Sequence, residues 1–228
     1  MEINYRLRCE NGDEHEFAIK LDAKSLKLIE PAPKTLPEWT QLNVHQCLDC
    51  PLKDSDSPHC PAAISLVDLA EKFGYLQSHV KVHTEIDINE KTISADTTAQ
   101  RALSSMVGLL MATSGCPNTE FLRPLTRFHI PLADEEETIY RSVSMYLLAQ
   151  YFRLSEEQTP DLALSGLTHS YRILHRVNQS MADRLRTTNH EDAGVNAVIL
   201  LDLFAKAMPC SIEKSLDELR YLFQPYLK

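Results

Sequence analysis

His45-Gln46-Cys47-Leu48-Asp49-Cys50-Pro51, followed by His59-Cys60-Pro61, divides this sequence into two unlike parts. Before it the chain alternates in the manner of β-strands. After it, one short hairpin aside, the chain reads as helix. The stretch holds three thiols, two of them as C-x-x-C, a turn in which both sulfurs can face one ion. A fourth sulfur, Cys116 in Ser114-Gly115-Cys116-Pro117, stands just past a helix stop far downstream. Cys47, Cys50, Cys60 and Cys116 are therefore the expected metal ligands, with His45 or His59 as possible substitutes for one thiolate. Zinc is the first candidate, because Cys₄ and Cys₃His sites stabilise irregular loops. A 4Fe–4S cluster is the alternative. Three of the four cysteines precede proline, a pairing also found at the last ligand of bacterial cluster motifs. Pro51 also removes a backbone N–H that a zinc knuckle uses to stabilise sulfur. Unliganded reduced thiols are the third reading. A thioredoxin-like dithiol fits poorly, since a polar, proline-bearing loop follows the motif instead of a helix.

Working outward toward the N-terminus, Ile3, Tyr5, Leu7 and Cys9 alternate with Asn4, Arg6 and Arg8. Asn11-Gly12 is expected to supply both positive-φ positions of a tight hairpin turn. Phe17, Ile19 and Leu21 resume the alternation, and Leu26 and Leu28 predict a third strand. Residues 1–30 thus read as an antiparallel meander, and Pro31, Pro33 and Pro37 then keep the chain extended. Residues 31–228 read as the cysteine loop plus a helical bundle, forming one compact domain with the meander.

In the other direction, Pro61 opens an apolar helix that Gly74 ends. Val80, Val82, Ile86 and Ile88 predict a strand, returned by an Asn89-Glu90 turn. Residues 98–114 form one helix stopped by Gly115. Asp134 with Glu137 resembles a capping box, and the helix it opens is expected to carry Ile139, Val143, Tyr146, Leu147 and Tyr151 inward. From Pro160 a long helix places Leu164, Leu167, Tyr171, Leu174, Met181 and Leu185 in steps of three and four, with Asn178 in the missing place. Such a seam packs against an antiparallel neighbour or a second subunit. Amphipathic helices near 195–207 and 212–223 complete the expected fold. The class is α+β and helix-dominated: a small N-terminal antiparallel sheet, a cysteine-metal loop, a second short hairpin and a C-terminal α-helical bundle.

Composition removes several functions. The net charge is −9, spread evenly and without a basic stripe, which argues against nucleic acid. Only 6 of 228 residues are glycine, and no G-x-G-x-x-G or Walker loop occurs, so nucleotide chemistry is disfavoured. No basic-then-apolar leader and no apolar run of about 18 residues appears, so a cytoplasmic protein off the membrane is expected. His79 and His83, roughly 13 Å apart along an extended chain, cannot share an ion. His129 reads as a hydrogen-bonded structural histidine. Glu135, Glu136 and Glu137 read as a solvated helix start, and Cys9 and Cys210 as structural. Arg172, Arg176 and Arg184 with His175 give one helix a basic side, either a solvated face or a small partner patch.

Cys47-x-x-Cys50-Pro51, His59-Cys60-Pro61, Thr98-Ala99-Gln100, Ser114-Gly115-Cys116-Pro117 and Arg127-Phe128-His129 together resemble an uncharacterised bacterial domain family. That resemblance implies a bacterial cytoplasmic setting and no particular activity. The residues themselves favour a metal-stabilised binding or adaptor protein without catalysis, engaging a protein partner or itself. The alternatives are an iron–sulfur protein in redox sensing or electron transfer and, more weakly, a zinc hydrolase with an open coordination position.

Overall fold

Alternating apolar residues close the N-terminus into a hairpin. β1 (Glu2–Cys9) pairs antiparallel with β2 (Glu14–Lys20), Tyr5 opposite Phe17. Ile3, Tyr5 and Leu7 are buried on one face, while Arg6 and Arg8 pair with Glu85, Asp87 and Glu14 on the other. The computed structural model describes residues 1–29, 35–188, 193–214 and 216–227. The extended run expected at Pro31 and Pro33, and the structural role expected of the Cys210 side chain, lie outside the described residues.

Between β1 and β2 the turn is wider than the sequence predicts. Only Gly12 takes a positive φ, 91°, while the Asn11 side chain accepts the Asp13 N–H at 3.0 Å. An Asx turn thus replaces the second positive-φ residue. The expected third strand shrinks to a single bridge between Leu21 and Leu28. The Leu28 N–H donates to Thr113 O and so leaves the sheet for a helix end. The second hairpin, β3 (Lys81–Ile88) and β4 (Lys91–Thr98), is not separate from the first. β3 pairs antiparallel with β1, giving one sheet in the order β2-β1-β3-β4. Val82, Ile86 and Ile88 join the buried face.

Helices cover that face. The stretch opened by Pro61 forms two short helices, α1 (Pro61–Ile64) and α2 (Val67–Phe73). They part at Ser65, whose hydroxyl donates to Ala62 O at 2.9 Å, a side-chain bond that competes with helix continuation. α3 (Ala99–Thr113) has Thr98 as its N-cap, and Gly115 follows it at φ 86°. The short α4 (Arg123–Thr126) leads to α5 (Glu135–Ser155), where both halves of the Asp134–Glu137 capping box form. α6 (Ser165–Arg186) starts later than Pro160, because the Asp161 carboxylate accepts the Gly166 N–H at 2.7 Å and the Tyr146 hydroxyl at 2.9 Å. That carboxylate satisfies an orphan donor at the helix start and holds the preceding residues out of the helix. α7 (Ala193–Lys214) runs unbroken through Pro209, and a 3₁₀ stretch, Glu218–Tyr226, stands where a second amphipathic helix was expected.

α3 lies on the sheet, and α7 packs against both α3 and α6. Two hydrophobic clusters result. The larger joins the sheet, α1 to α3 and the facing parts of α6 and α7; the smaller holds Ile139, Val143, Leu167, Tyr171 and Met208. The α6 seam is buried along its length, Asn178 included at 2% exposure. Leu147 and Tyr151 of α5 are exposed, against expectation. Polar links from Tyr146 and Gln150 to Asp161 hold that part of the helix, so those two side chains stay outside.

The basic side expected of α6 is largely consumed within the molecule. Arg176 pairs with the Asp49 carboxylate, and His175 Nδ1 meets Asp202 Oδ1 at 2.6 Å. Arg184 is 2% exposed and donates through Nη1 to Trp39 O and Gln41 O, at 2.8 and 2.6 Å, and through Nη2 to Leu42 O at 2.9 Å. Replacing Arg184 by Met strands those acceptors and is expected to cost roughly 2–4 kcal/mol in urea unfolding, since hydrogen bonds to charged groups each contribute about 1.5–3 kcal/mol. Arg184→Lys is expected to recover only part of the loss, because one ammonium cannot reproduce a planar fork.

Candidate functional site

The cysteine loop is built from its base. Leu42 N–H donates to Pro58 O at 2.9 Å and Cys60 N–H to Thr40 O at 2.8 Å, so the two ends of the loop close as a short antiparallel clasp around Gln41 and His59. Cys60 is buried at this clasp, immediately before α1. Within the loop, Cys50 N–H donates to Cys47 O at 3.0 Å and makes the C-x-x-C segment a tight turn. Cys116 is also buried, past the end of α3. The neighbouring Asn118 donates its amide to Asp49 O at 3.1 Å, which draws the Cys116 turn against the C-x-x-C turn.

The four predicted sulfurs share one corner of the molecule. Burial pushes the Cys47 thiol up to about 12, and the charges of Cys50, Cys60 and Cys116 push it the same way. Such coupling places all three within Coulombic reach of Cys47. Cys116 is raised as well, first by burial; hydrogen bonds from the Asn118 and Thr119 backbone to its sulfur act in the opposite sense. Among the described residues, no three His, Cys, Asp or Glu side chains stand as placed in an arrangement that would hold an ion. The thiols are gathered without forming a finished cage, and none of the described cysteines is in a disulfide. Sulfur chemistry suits the set to a soft or borderline ion such as zinc, with each thiol deprotonated on binding.

The two histidines differ. His45 is exposed, on a backbone at φ 44°. His59 Nδ1 lies 2.8 Å from Thr40 Oγ1. The Thr40 hydroxyl proton is given to Pro37 O at 2.6 Å, so His59 donates to Thr40. Neither histidine figures among the charges that act on Cys47.

A second feature lies between the two hydrophobic clusters. A cavity of about 520 Å³ is walled by α3, α4, α5, α6 and α7. This is within the range of about 300–1,000 Å³ typical of small-molecule sites. Its walls are mainly apolar, with Leu109, Leu122, Leu174, Leu201 and Phe204 prominent. One side carries polar groups. Arg141 donates to Leu125 O at 3.3 Å and Phe128 O at 3.2 Å, and the Ser142 and Tyr171 hydroxyls meet at 2.7 Å. His129 Nε2 lies 2.7 Å from Tyr5 Oη, bearing out the hydrogen-bonded role expected of it. Two clues to this cavity stood in the sequence without being joined: an arginine two residues from inward-facing Ile139 and Val143, and an asparagine in a leucine seam. Their convergence depends on helix packing, which no local pattern encodes.

Fold and site together define a helix-dominated α+β protein with a gathered set of thiols at one corner and a ligand-sized cavity within. The chain belongs to a family described as a domain of unknown function (DUF6901), whose model matches residues 3–224. Neither a curated protein nor a solved structure matches it. Among the described residues no helix is long and apolar enough to cross a membrane.

His129 provides a pH test of this geometry. Burial, and then the positive charge of Arg141, push its ring down to about 3 from 6.5. The unfolded chain takes up this proton below about 6.5 while the folded chain stays neutral until about 3, so stability is lost progressively as pH falls through that window. One proton contributes a slope of at most about 1.4 kcal/mol per pH unit. Chemical denaturation across this range is expected to show that dependence, and His129→Gln is expected to flatten it.

Proposed function

We propose that this chain is a metal-stabilised, zinc-type binding protein of the cytoplasm, without catalysis, in which Cys47, Cys50, Cys60 and Cys116 hold one ion. The observation that carries this reading is the Asn118–Asp49 hydrogen bond, which draws the Cys116 turn against the C-x-x-C turn of a loop closed at Cys60. The ion's role is structural. Bound there, it ties the loop before α1 to the end of α3 and relieves the mutual repulsion of the thiolates. Free thiols at every described cysteine support a reducing compartment. Binding in preference to catalysis is supported by how the cavity's titratable groups are tied to one another. His129 is bonded to Tyr5, and the Tyr171 hydroxyl, bonded to Ser142, is raised to about 12 by burial. Association with a protein partner or a second copy is supported by the exposed Leu148, Tyr151, Phe152 and Leu154 on α5.

Elemental analysis of freshly purified protein tests the reading. One zinc per chain is expected, with Cys60→Ser and Cys116→Ser each lowering metal content and melting temperature together. Iron with acid-labile sulfide and broad visible absorption would replace zinc by a cluster at the same thiols. Metal-free protein whose melting is indifferent to added zinc and to chelator would overturn the metal centre altogether.

A further inference from the structure

We infer that the cavity between α3, α5, α6 and α7 is a binding site for an apolar monocarboxylic acid, with Arg141 receiving the carboxylate and Asn178 hydrogen-bonding a polar group farther along the chain. This goes beyond the metal-centre reading and stands independently of it.

The cavity holds two polar groups with hydrogen-bonding capacity to spare. Arg141 enters no salt bridge among the described residues, although it sits half-buried against a largely apolar wall. Among the described residues its hydrogen bonds use one nitrogen, Nη2, on Leu125 O and Phe128 O. Those two carbonyls fix the guanidinium in place and leave Nε and Nη1 for another acceptor. Glu137, one turn earlier on α5, attracts Arg141, yet its carboxylate is engaged by the Asp134 N–H in the capping box. A guanidinium held this way favours an anion that presents two oxygens in a plane, which a carboxylate does.

Asn178 is the second, independent observation. Its side chain is 2% exposed, lines the cavity, and makes no side-chain hydrogen bond among the described residues. An amide that opens onto the cavity offers a donor and an acceptor to a ligand's polar group, a hydrogen bond worth about 0.5–1.5 kcal/mol. Tyr171, which interacts with Arg141, lies seven residues before Asn178 on the same face of α6. At 1.5 Å per residue, Tyr171 and Asn178 stand about 10 Å apart along the helix axis. Between them the wall is Leu174, faced by Leu109 and Leu201. A ligand that matches this wall has a carboxylate, an aliphatic span, and a hydroxyl or carbonyl near the far end. The rim carries both signs, with Arg101, Asp134 and Glu135 exposed there, so the rim itself does not select for net charge. Selection for the anion falls to Arg141.

Calorimetry on delipidated, otherwise untreated protein tests this with decanoate, its methyl ester and its terminally hydroxylated analogue. The acid is expected to bind at least about tenfold more tightly than the ester, the equivalent of one charge-assisted hydrogen bond. The hydroxylated acid is expected to bind more tightly still, and Asn178→Leu to bring it back to the level of plain decanoate. Arg141→Met is expected to erase the preference for acid over ester. Because Arg141 also bonds two carbonyls and its loss could unfold the chain, Leu201→Trp serves as a second variant that fills the cavity and is expected to abolish binding of every probe. Equal affinity for acid and ester, no saturable binding of any probe, or binding that survives Leu201→Trp would overturn the proposal. A hydroxylated acid that binds no better than decanoate would overturn the role of Asn178.

Discussion

Arg184 is the interaction on which the arrangement of this molecule turns. Its guanidinium is buried, has no carboxylate partner among the described residues, and is satisfied by three backbone carbonyls from the segment that precedes the cysteine loop. A charge taken out of water is tolerated only when its donors are met, and carbonyl dipoles meet them here. The consequence is positional. The carbonyls of Trp39, Gln41 and Leu42 belong to the same clasp that closes the loop on Cys60, so α6 grips the loop at its base. Arg176, two turns earlier on α6, reaches Asp49 within the loop. One helix therefore fixes both the base and the middle of a segment with few apolar anchors; Leu48 at its centre is 87% exposed.

The two hydrophobic clusters explain why a cavity exists at all. The sheet and α3 form one packed unit, and α5 with the first half of α6 forms another. α7 contributes to both, and so does α6. Gly108 and Ala112 of α3 line the gap, and a Cβ at Gly108 would already stand 3.5 Å from Leu201 Cδ2 of α7. Interiors are otherwise packed to near-crystalline density, so a space of this size with polar groups along one wall is a feature of the design of the fold. The Tyr5 hydroxyl reaches from the sheet to Ser105 and His129 at its edge, joining the larger cluster to the cavity wall by hydrogen bonds.

What could be read from the sequence follows how local each signal is. The period-two alternation in β1 and β3, the Asp134 capping box, the Gly115 stop and the α6 seam were legible, because each depends on residues within a few positions of one another. The start of α6 was not, since it depends on a carboxylate at Asp161 that also binds a tyrosine on another helix. The union of the two hairpins into one sheet was not either, because β1 and β3 are joined only by long-range pairing. The same distinction holds at the site. The C-x-x-C turn was evident from spacing and Cys116 was named beside it on residue type; the Asn118–Asp49 hydrogen bond that draws the two turns together was not legible. The basic side of α6 was misread because charge counted along a helix says nothing of which cations are spent inside.

A free-energy argument connects the loop to its thiols. Burial and the neighbouring sulfurs raise the resistance of the Cys47 thiol to ionisation, and burial does the same for Cys116. Neutral thiols behave as small apolar groups with weak donors, and they give an otherwise polar loop little reason to remain in one conformation. The loop's own backbone hydrogen bonds lie at its clasp, at the Cys47–Cys50 turn and at a turn where Lys53 O accepts the Asp56 and Ser57 N–H groups. A divalent ion reverses this balance. It makes the thiolate the favoured form at all four positions and converts their mutual repulsion into shared attraction. On that reading Arg184 and Arg176 bring the sulfurs within reach of one another, and the ion sets their final geometry. Under the proposed metal centre the protein's own bonds and the ion would divide the work, the helices determining where the loop lies and the ion its shape.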